Sequence, residues 1–314
     1  MSSATAAAEN DLSSTAWTST CMAEMRSNGN VPFVVIPASH HLLYILGDVE
    51  FSKIVTSVTL ALTRPFTISQ GRIFMQTQND NPTVILVHGA FADGHAWSRV
   101  IPLLQAKGLN VVAVQNPLTS LEDDVAKTKR AIAAQTGPIV LVGHSYGGAV
   151  ISDAGEDERV RALVYVAAFA PSEGQSVSDL AKDYPTPPGF SHLNADKNGD
   201  LTLTLEGVQN HLAQDLTSED AKLLVATQGP TNGANFVAKI MAAAWTSRPC
   251  WYIVSEDDHM LDVDLQKHLA EKLDAKVTSL ATSHVPQLSQ PQTVADVILA
   301  AVEEVRNNAH QERA

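Results

Sequence analysis

The sequence predicts an α/β protein built on a mostly parallel, doubly wound sheet. Short apolar runs rich in β-branched residues recur between residues 83 and 280, as strands buried on both faces require. Helical patterns separate these runs, and such alternation gives parallel strands with helices on both faces of the sheet. One stretch of about 75 residues breaks the alternation, which is typical of an inserted lid.

Each element is identified by its residue types. The helix predicted over 96–107 ends at Gly108, and the helix over 121–135 has acidic residues first and basic residues later, which suits the helix dipole. The predicted strands are 83–88, 110–114, 138–143, 161–168, 250–255 and 276–280. The remaining predicted helices are 146–153, 262–273 and 290–307.

The inserted stretch spans about residues 171–247. It opens with a proline-rich part and continues with helical patches over 206–214 and 218–226. Long insertions in α/β domains commonly carry binding elements, so we expect a helical lid over the site.

Residues 1–74 differ from the rest of the chain. Sixteen of the first 30 residues are Ala, Ser or Thr, which predicts a low-complexity tail or a poorly ordered extension. The apolar stretches 31–46 and 54–62 are expected as strands or short helices, because charged residues between them argue against a signal anchor. A standard secretory signal is not expected. We therefore expect the main domain over 75–314, with 1–74 as a tail or as an upstream stretch read through from an alternative start.

Composition excludes several classes of function. The chain has 21 Lys and Arg against 34 Asp and Glu, a net charge of −13, so no nucleic-acid partner is expected. Its two cysteines, Cys21 and Cys250, are too few for a disulfide scaffold or a four-cysteine metal site. No apolar run reaches the ~18–20 residues of a membrane span, and the cytoplasm is the expected location.

The strongest motif is Gly143-His144-Ser145-Tyr146-Gly147, between a predicted strand and a predicted helix. This G-x-S-x-G context predicts a nucleophile elbow, with Ser145 at the tip of a strained turn. Gly143 and Gly147 are expected where strand and helix approach closely, because they lack Cβ. The Tyr146 N–H should point toward the space in front of Ser145, where a helix N-terminus favours negative charge.

A second motif, His88-Gly89-Ala90-Phe91, follows the first strand. An oxyanion hole needs another backbone N–H from a neighbouring loop, and Ala90 is placed to supply it. We expect His88 to shape this loop by hydrogen bonding and not to act as a base.

The candidate base is His284. It follows the last predicted strand, on the same side of the sheet as Ser145. His268 is expected on a helix surface, whereas His259 lies in the loop that should supply the acid.

An acid between nucleophile and base would hold the imidazole tautomer and complete the chain order Ser, Asp, His. The polar loop after strand 250–255 contains Asp257 and Asp258, and spacing alone leaves the choice between them open. Glu173, after an earlier strand, is a further alternative.

These motifs resemble the α/β-hydrolase family, above all its branch of plant-type methyl esterases, hydroxynitrile lyases and their bacterial relatives. The resemblance covers about 82–305 and rests on TVILVHGAFADGHAW, PIVLVGHSYGG, RALVYVAAFAP, WYIVSEDDHMLDVDLQ and SHVPQLSQP. It implies the α/β-hydrolase fold with a helical lid. Counted from the Leu265-Gln266 pair, it also implies Asp258 as the acid, with Ala90 and Tyr146 as the oxyanion donors.

The chain departs from parts of this family. Hydroxynitrile lyases carry a lysine close to the catalytic histidine, whereas Val285, Pro286 and Gln287 follow His284 here, which disfavours cyanohydrin cleavage. Haloalkane dehalogenases and epoxide hydrolases have Asp at the elbow position that Ser145 occupies.

The residues together predict a serine hydrolase that cleaves a small or medium carboxylic ester through an acyl-enzyme, with Ser145, His284 and Asp258 as the triad. No cofactor and no metal are expected. Perhydrolysis or acyl transfer on the same triad, and a small-molecule receptor with slow hydrolase activity, are alternatives that the sequence leaves open.

The expected partner is a small-molecule ester, and the sequence does not define an oligomeric state, a homodimer included. The candidate substrate contacts are Phe91, Trp97, His144, Phe190 and Trp245. Other apolar lid residues that could line the site are Leu193, Leu212, Leu216 and Phe236.

Overall fold

The computed structural model describes residues 34–38, 41–45 and 81–311. The chain divides into two units, Met1–Ile73 and Phe74–Ala314. In the first unit, β1 (Val34–Ala38) and β2 (His41–Ile45) pair antiparallel. The rest of the predicted extension, with its apolar stretch 54–62, lies outside the described residues.

Six parallel strands form the central sheet of the second unit. These strands are β3 (Thr83–Val87), β4 (Val111–Val114), β5 (Ile139–His144), β6 (Val160–Val166), β10 (Cys250–Ser255) and β11 (Lys276–Leu280). Their order across the sheet is β11-β10-β6-β5-β3-β4. The chain therefore starts inside the sheet, moves to one edge and then returns to build the other half, as a doubly wound sheet does.

Both faces of the inner strands β3, β5, β6 and β10 are buried, as the continuous apolar runs predict. Along β3, Val84 and Leu86 pack into one apolar cluster, and Ile85 and Val87 pack into the other. Successive side chains of a strand point to opposite faces, so a strand covered on both faces needs an apolar residue at every position.

Among the described residues, nine α-helices accompany the strands. They are α1 (Ile101–Gln105), α2 (Leu121–Ala133), α3 (Gly147–Ala154), α4 (Val177–Ala181), α5 (Leu205–Gly207), α6 (Ser218–Thr227), α7 (Val263–Lys272), α8 (Pro286–Ser289) and α9 (Pro291–Gln311). Within the described ranges no helix has both the length and the apolar character that a bilayer crossing requires.

The single helix predicted over 96–107 is divided in the structure. A 3₁₀ turn, Gly94–Trp97, comes first, and α1 begins only at Ile101 with Pro102 in its first turn. Proline has no N–H to donate to a preceding turn, so it suits a helix start and not a helix interior. Gly108, at φ +74°, follows the end of this segment as predicted.

The lid is more than helical. Beside its short helices it holds an antiparallel sheet of three strands, β7 (Leu193–Ala195), β8 (Asp200–Leu203) and β9 (Thr231–Asn232). Strands this short carry too little alternation to be recognised in a sequence. The turn between β7 and β8 is exposed, and its first residue, Asp196, accepts backbone hydrogen bonds from Asn198 and Asp200.

Helix α3 approaches the sheet closely at Gly147. A Cβ at this position would lie 2.7 Å from the carbonyl oxygens of both Val87 and His88, and a Cβ at Gly143 would lie 2.7 Å from the Gly147 carbonyl oxygen. Both glycines are therefore required by backbone contact, as the elbow motif predicts.

Gly147→Ala should lower the free energy of unfolding by at least about 1–3 kcal/mol, because backbone atoms on both sides cannot move aside cheaply. Urea unfolding followed by circular dichroism measures this. Gly233→Ala is the matched control, because its Cβ would have its nearest neighbours at 3.4–3.9 Å, which is ordinary contact. Equal effects of the two substitutions would contradict the close approach.

Candidate active site

Ser145 follows β5 in a strained backbone conformation, with φ +54°. A positive φ is uncommon for a residue with a Cβ, and it persists only where the surroundings impose it. Here the Ser145 N–H donates to Val166 O at 3.1 Å, and the Ser145 carbonyl accepts from the N–H groups of Gly148 and Phe169. The turn is thus fixed to the end of β6, and Ser145 lies two residues before the start of α3.

His284 and Asp258 form a buried pair at the same edge of the sheet. His284 Nδ1 lies 2.7 Å from Asp258 Oδ2, and the two side chains are 4% and 0% exposed. Because Nδ1 carries the proton toward the carboxylate, Nε2 is left as an acceptor. Asp257, in contrast, is 67% exposed and lies 3.5 Å from His259.

Asp258 is satisfied as a carboxylate. Its Oδ1 accepts from the backbone N–H groups of Met260 and Leu261, and its Oδ2 also accepts from Gln266 Nε2 at 2.8 Å. Gln266 is fully buried and accepts in turn from the Ser255 N–H. The acid is therefore fixed to both β10 and α7 before it contacts His284.

His144 connects the elbow to the histidine loop. Its Nε2 donates to the His284 carbonyl at 2.7 Å, and the two rings lie 4.8 Å apart. Burial is the main cause that holds the pKa of His144 well below its usual range, and the neighbouring His284 lowers it further. This imidazole is therefore neutral. The His144 side chain is therefore buried and contacts the loop that carries His284.

The His88–Phe91 loop lies directly against the nucleophile. A Cβ on Gly89 would lie 2.7 Å from Ser145 Cβ. His88 is buried and accepts from the Asn116 N–H at Nε2, so its Nδ1 donates to the Gly89 carbonyl at 2.9 Å. Burial lowers the pKa of His88, which keeps it neutral. His88 shapes this loop by hydrogen bonding, as expected.

Two backbone donors remain beside Ser145. Among the hydrogen bonds that the described residues form, none uses the N–H of Ala90 or of Tyr146. Ala90 stands in the loop that Gly89 brings to Ser145, and Tyr146 directly precedes α3. Free N–H groups of this kind suit an oxyanion.

Phe91, next to Ala90, is held by the lid. Its φ is +56°, and its N–H donates to Thr231 Oγ1 at 3.1 Å. Its ring lies 6.2 Å from that of Phe236, which in turn lies 6.0 Å from the ring of Tyr146. The ring of Phe236 thus connects Phe91, which follows Ala90, to Tyr146.

A fully buried carboxylate, Asp124 of α2, supports Tyr146. It accepts from the Tyr146 hydroxyl and from the Leu118 N–H, both at 2.8 Å, and from Asn235 Nδ2 at 3.4 Å. Burial raises the pKa of Asp124 to about 6, although these donors oppose the rise. The sequence predicts Asp124 only as one of the acidic residues at the start of the helix over 121–135, because its partners lie in distant loops and leave no local signal.

The lid also contacts the two loops that carry the acid and the histidine. Gln214 Nε2 donates to the Asp257 carbonyl, and Asp215 Oδ2 accepts from the Ser283 N–H at 2.9 Å. Sequence reasoning did not single out either residue, because polar side chains in a loop are usually solvated.

The predicted substrate contacts fall in different places. Trp97 is fully buried in the apolar cluster that also holds Val84, and its ring meets His144 edge-on at 6.4 Å. Phe190 is half-buried in the 3₁₀ turn Pro188–His192, next to Gly189, which donates its N–H to His259 O.

Trp245 is not brought to Ser145. It precedes β10, so it lies near the amino-terminal edge of the parallel sheet, whereas Ser145 lies at the carboxyl edge. Its indole N–H donates to Pro171 O at 2.8 Å, and Lys272 Nζ lies 4.8 Å from the ring centre.

The part of the chain that the structure describes contains no group of side chains suited to bind a metal ion. No three His, Cys, Asp or Glu side chains of that part are grouped so that they could hold an ion. The chemistry available at the site is that of a hydroxyl, an imidazole paired with a carboxylate, and two free N–H groups.

Comparison with known proteins identifies the family of the chain. The profile of the Alpha/beta hydrolase family matches residues 84–297. A probable hydrolase R7 of Phoma sp. is 28% identical over 240 residues, covering 69% of this chain and 96% of that protein. Methylesterase 8 of Arabidopsis thaliana is 25% identical over 240 residues, covering 69% and 88%. Alpha-hydroxynitrile lyase of the same plant is 26% identical over 247 residues, covering 69% and 95%.

Solved structures show the same fold. The crystal structure of polyneuridine aldehyde esterase superposes with a TM-score of 0.61 at 21% identity, covering 70% of this chain and 98% of that chain. The chain thus shares the fold of that structure.

The buried carboxylate predicts a pH effect on stability. Because the pKa of Asp124 is raised to about 6, the native state keeps this proton at pH values where the unfolded chain has lost it. Stability from this group is present below about pH 4 and is lost as pH rises through 6, by roughly 3 kcal/mol. The wild-type advantage over Asp124→Asn should therefore shrink over this range, as measured by urea unfolding at several pH values.

Asp123→Asn is the control for this experiment. Hydrogen bonds from Ser120 and Thr119 lower the pKa of the exposed Asp123, so its contribution is already complete above its ordinary pKa. Its difference from wild type should stay flat between pH 5 and 7, and a flat profile for Asp124→Asn would contradict the raised pKa.

Proposed function

Because the chain belongs to the α/β-hydrolase family, we propose that it is a serine esterase. Its substrate is a small or medium carboxylic ester, which it cleaves through an acyl-enzyme. The observation that carries the proposal is the buried His284–Asp258 pair at the sheet edge where strained Ser145 follows β5. The names methylesterase and polyneuridine aldehyde esterase among its relatives support ester chemistry.

In the first half-reaction Ser145 Oγ attacks the ester carbonyl carbon. His284 Nε2 accepts the hydroxyl proton and then donates it to the departing alkoxide, so the leaving group exits as an alcohol. Asp258 holds the Nδ1–H tautomer and stabilises the imidazolium that forms in between.

The Ala90 and Tyr146 N–H groups would hold the oxyanion of the tetrahedral intermediate. Ser145 and Ala90 are only 8% and 9% exposed, so the developing charge meets these donors with little competing water. Removal of one such donor typically costs about 2.7–4 kcal/mol of transition-state stabilisation.

The second half-reaction repeats the first with water. His284 Nε2 accepts a proton from water while the water oxygen attacks the acyl carbon. His284 then donates this proton to Ser145 Oγ as the carboxylic acid leaves. A hydrogen bond between Ser145 Oγ and His284 Nε2 is not among those that the described residues form. Such bonds often tighten only when substrate binds.

The two other imidazoles near Ser145 are unsuited to the role of base. His88 and His144 are neutral; His88 bonds backbone groups through both ring nitrogens, and His144 bonds the His284 carbonyl through Nε2. Cyanohydrin cleavage is disfavoured because no lysine follows His284 in the sequence Val285-Pro286-Gln287.

Ser145→Ala should abolish hydrolysis of p-nitrophenyl esters by the full chain. The series from acetate to octanoate is measured under steady-state conditions, and kcat should fall by about 10⁴-fold or more because the nucleophile is gone. The chain-length profile of the wild type reports the size of the acyl site. A folded wild type without turnover would contradict the esterase proposal and favour the receptor alternative.

Asp258→Asn should lower kcat by about 10³–10⁴-fold, because the amide no longer fixes the His284 tautomer. Asp257→Asn is the matched control one residue away. Its side chain is 67% exposed, so its kcat should stay within about twofold of wild type. A larger loss in Asp257→Asn than in Asp258→Asn would reassign the acid.

A further inference from the structure

Three of the five non-glycine residues with positive φ in the described part of the chain are connected to Ala90 or Tyr146, two as sequence neighbours and one through Asp124. Phe91, Leu118 and Ser145 all have positive φ, at 56°, 60° and 54°. Ser145 is held by strand β6, but the other two are held by one stretch of the lid. We call residues 229–235 the lid return segment, since they carry the chain back from α6 toward the sheet.

The lid return segment holds the Ala90 side of the site. Buried Thr231 accepts the Phe91 N–H at its Oγ1, and the Gly229 N–H donates to Ala92 O at 3.4 Å. Both residues that follow Ala90 are therefore tied to the lid. The peptide between Ala90 and Phe91 cannot rotate without breaking the bond to Thr231.

The same segment holds the Tyr146 side. The Asn232 N–H and Asn235 Nδ2 both donate to the carbonyl of strained Leu118, at 2.9 and 3.2 Å. Asn235 Nδ2 also reaches Asp124, the carboxylate that accepts the Tyr146 hydroxyl. The position of Tyr146 is thus linked to the lid through one buried carboxylate.

We propose that the lid return segment sets the geometry of the oxyanion hole, with Thr231 acting through Phe91 on Ala90, and Asn235 acting through Asp124 on Tyr146. Thr231, Asn235 and Asp124 are positioning residues, and the inference rests on the proposed esterase function.

This arrangement joins substrate choice to catalysis. A lid that sets only the shape of the pocket would change KM when altered, whereas a lid that holds the oxyanion donors changes kcat. Substitutions in the lid return segment should therefore act on transition-state stabilisation and leave ground-state binding largely intact.

The test uses the full chain with Thr231→Val, which keeps the shape of the side chain and removes the acceptor of the Phe91 N–H. Thr231→Ser restores a hydroxyl. Thr128→Val is the matched control, because Thr128 is equally buried, lies on α2 beside Asp124, and has a hydroxyl with no partner among the described residues. Asn235→Ala tests the second branch.

Two measurements are made on each variant, after titration of active sites with phenylmethylsulfonyl fluoride. The first is kcat and KM for p-nitrophenyl butyrate. The second is inhibition by 1,1,1-trifluorooctan-2-one compared with octan-2-one. Ser145 Oγ adds to the trifluoroketone carbonyl, its proton passes to His284, and the ketone oxygen becomes an oxyanion that needs the hole, whereas octan-2-one tests binding alone.

We expect kcat to fall about 10- to 100-fold in Thr231→Val, less than complete removal of an oxyanion donor costs. KM and inhibition by octan-2-one should stay within about threefold of wild type, and trifluoroketone affinity should fall in parallel with kcat/KM. Thr231→Ser should recover most of the loss, Thr128→Val should match wild type, and Asn235→Ala should reproduce the pattern of Thr231→Val.

Three results would overturn the inference. If Thr231→Val and Asn235→Ala keep the kcat of Thr128→Val, the segment does not position the hole. If KM and octan-2-one binding weaken as much as kcat, the lid acts on the pocket alone. If the wild type hydrolyses no ester and resembles Ser145→Ala, the esterase proposal itself fails and the inference falls with it.

Discussion

The strained backbone of Ser145 is the constraint on which the rest of the structure depends. A residue with a Cβ at positive φ costs on the order of 1–3 kcal/mol, so its surroundings must impose the conformation. Three backbone hydrogen bonds to Val166, Gly148 and Phe169 do so here. They require β6 beside β5 and α3 directly after the turn, and α3 can approach the sheet only because Gly147 lacks a side chain. Sheet order, helix position and glycine pattern all follow from one turn.

Three histidines lie near Ser145, and their hydrogen-bond partners decide which of them can carry a positive charge. His88 and His144 contact only backbone groups through hydrogen bonds, and burial keeps both neutral. His284 alone has a carboxylate partner, Asp258. Among these three rings, a positive charge is therefore stabilised on His284 alone.

The features that could be predicted from the sequence are those with a local signal in the chain. The inner strands of the central sheet were predictable because continuous apolar runs indicate burial on both faces, and the elbow was predictable because its glycines have a steric cause. The choice between Asp257 and Asp258 required the resemblance, since adjacent residues differ only in where their side chains point. Asp124 was out of reach, because its partners Leu118, Tyr146 and Asn235 meet it only in three dimensions. The lid sheet was not predicted, because its strands are too short to show an alternating pattern.

Two parts of the three-stranded lid sheet, the turn between β7 and β8 and strand β9, differ in how freely they can change over evolution. The turn between β7 and β8 is exposed and closed by its own Asp196, so residues can be inserted or exchanged there without touching the sheet edge that carries Ser145. Strand β9, at the other side, is bonded through Thr231 and Asn232 to the loops beside the nucleophile. A lineage of such proteins can therefore diversify by lengthening the outer turn, while the length of the inner connection is fixed by the chemistry it serves.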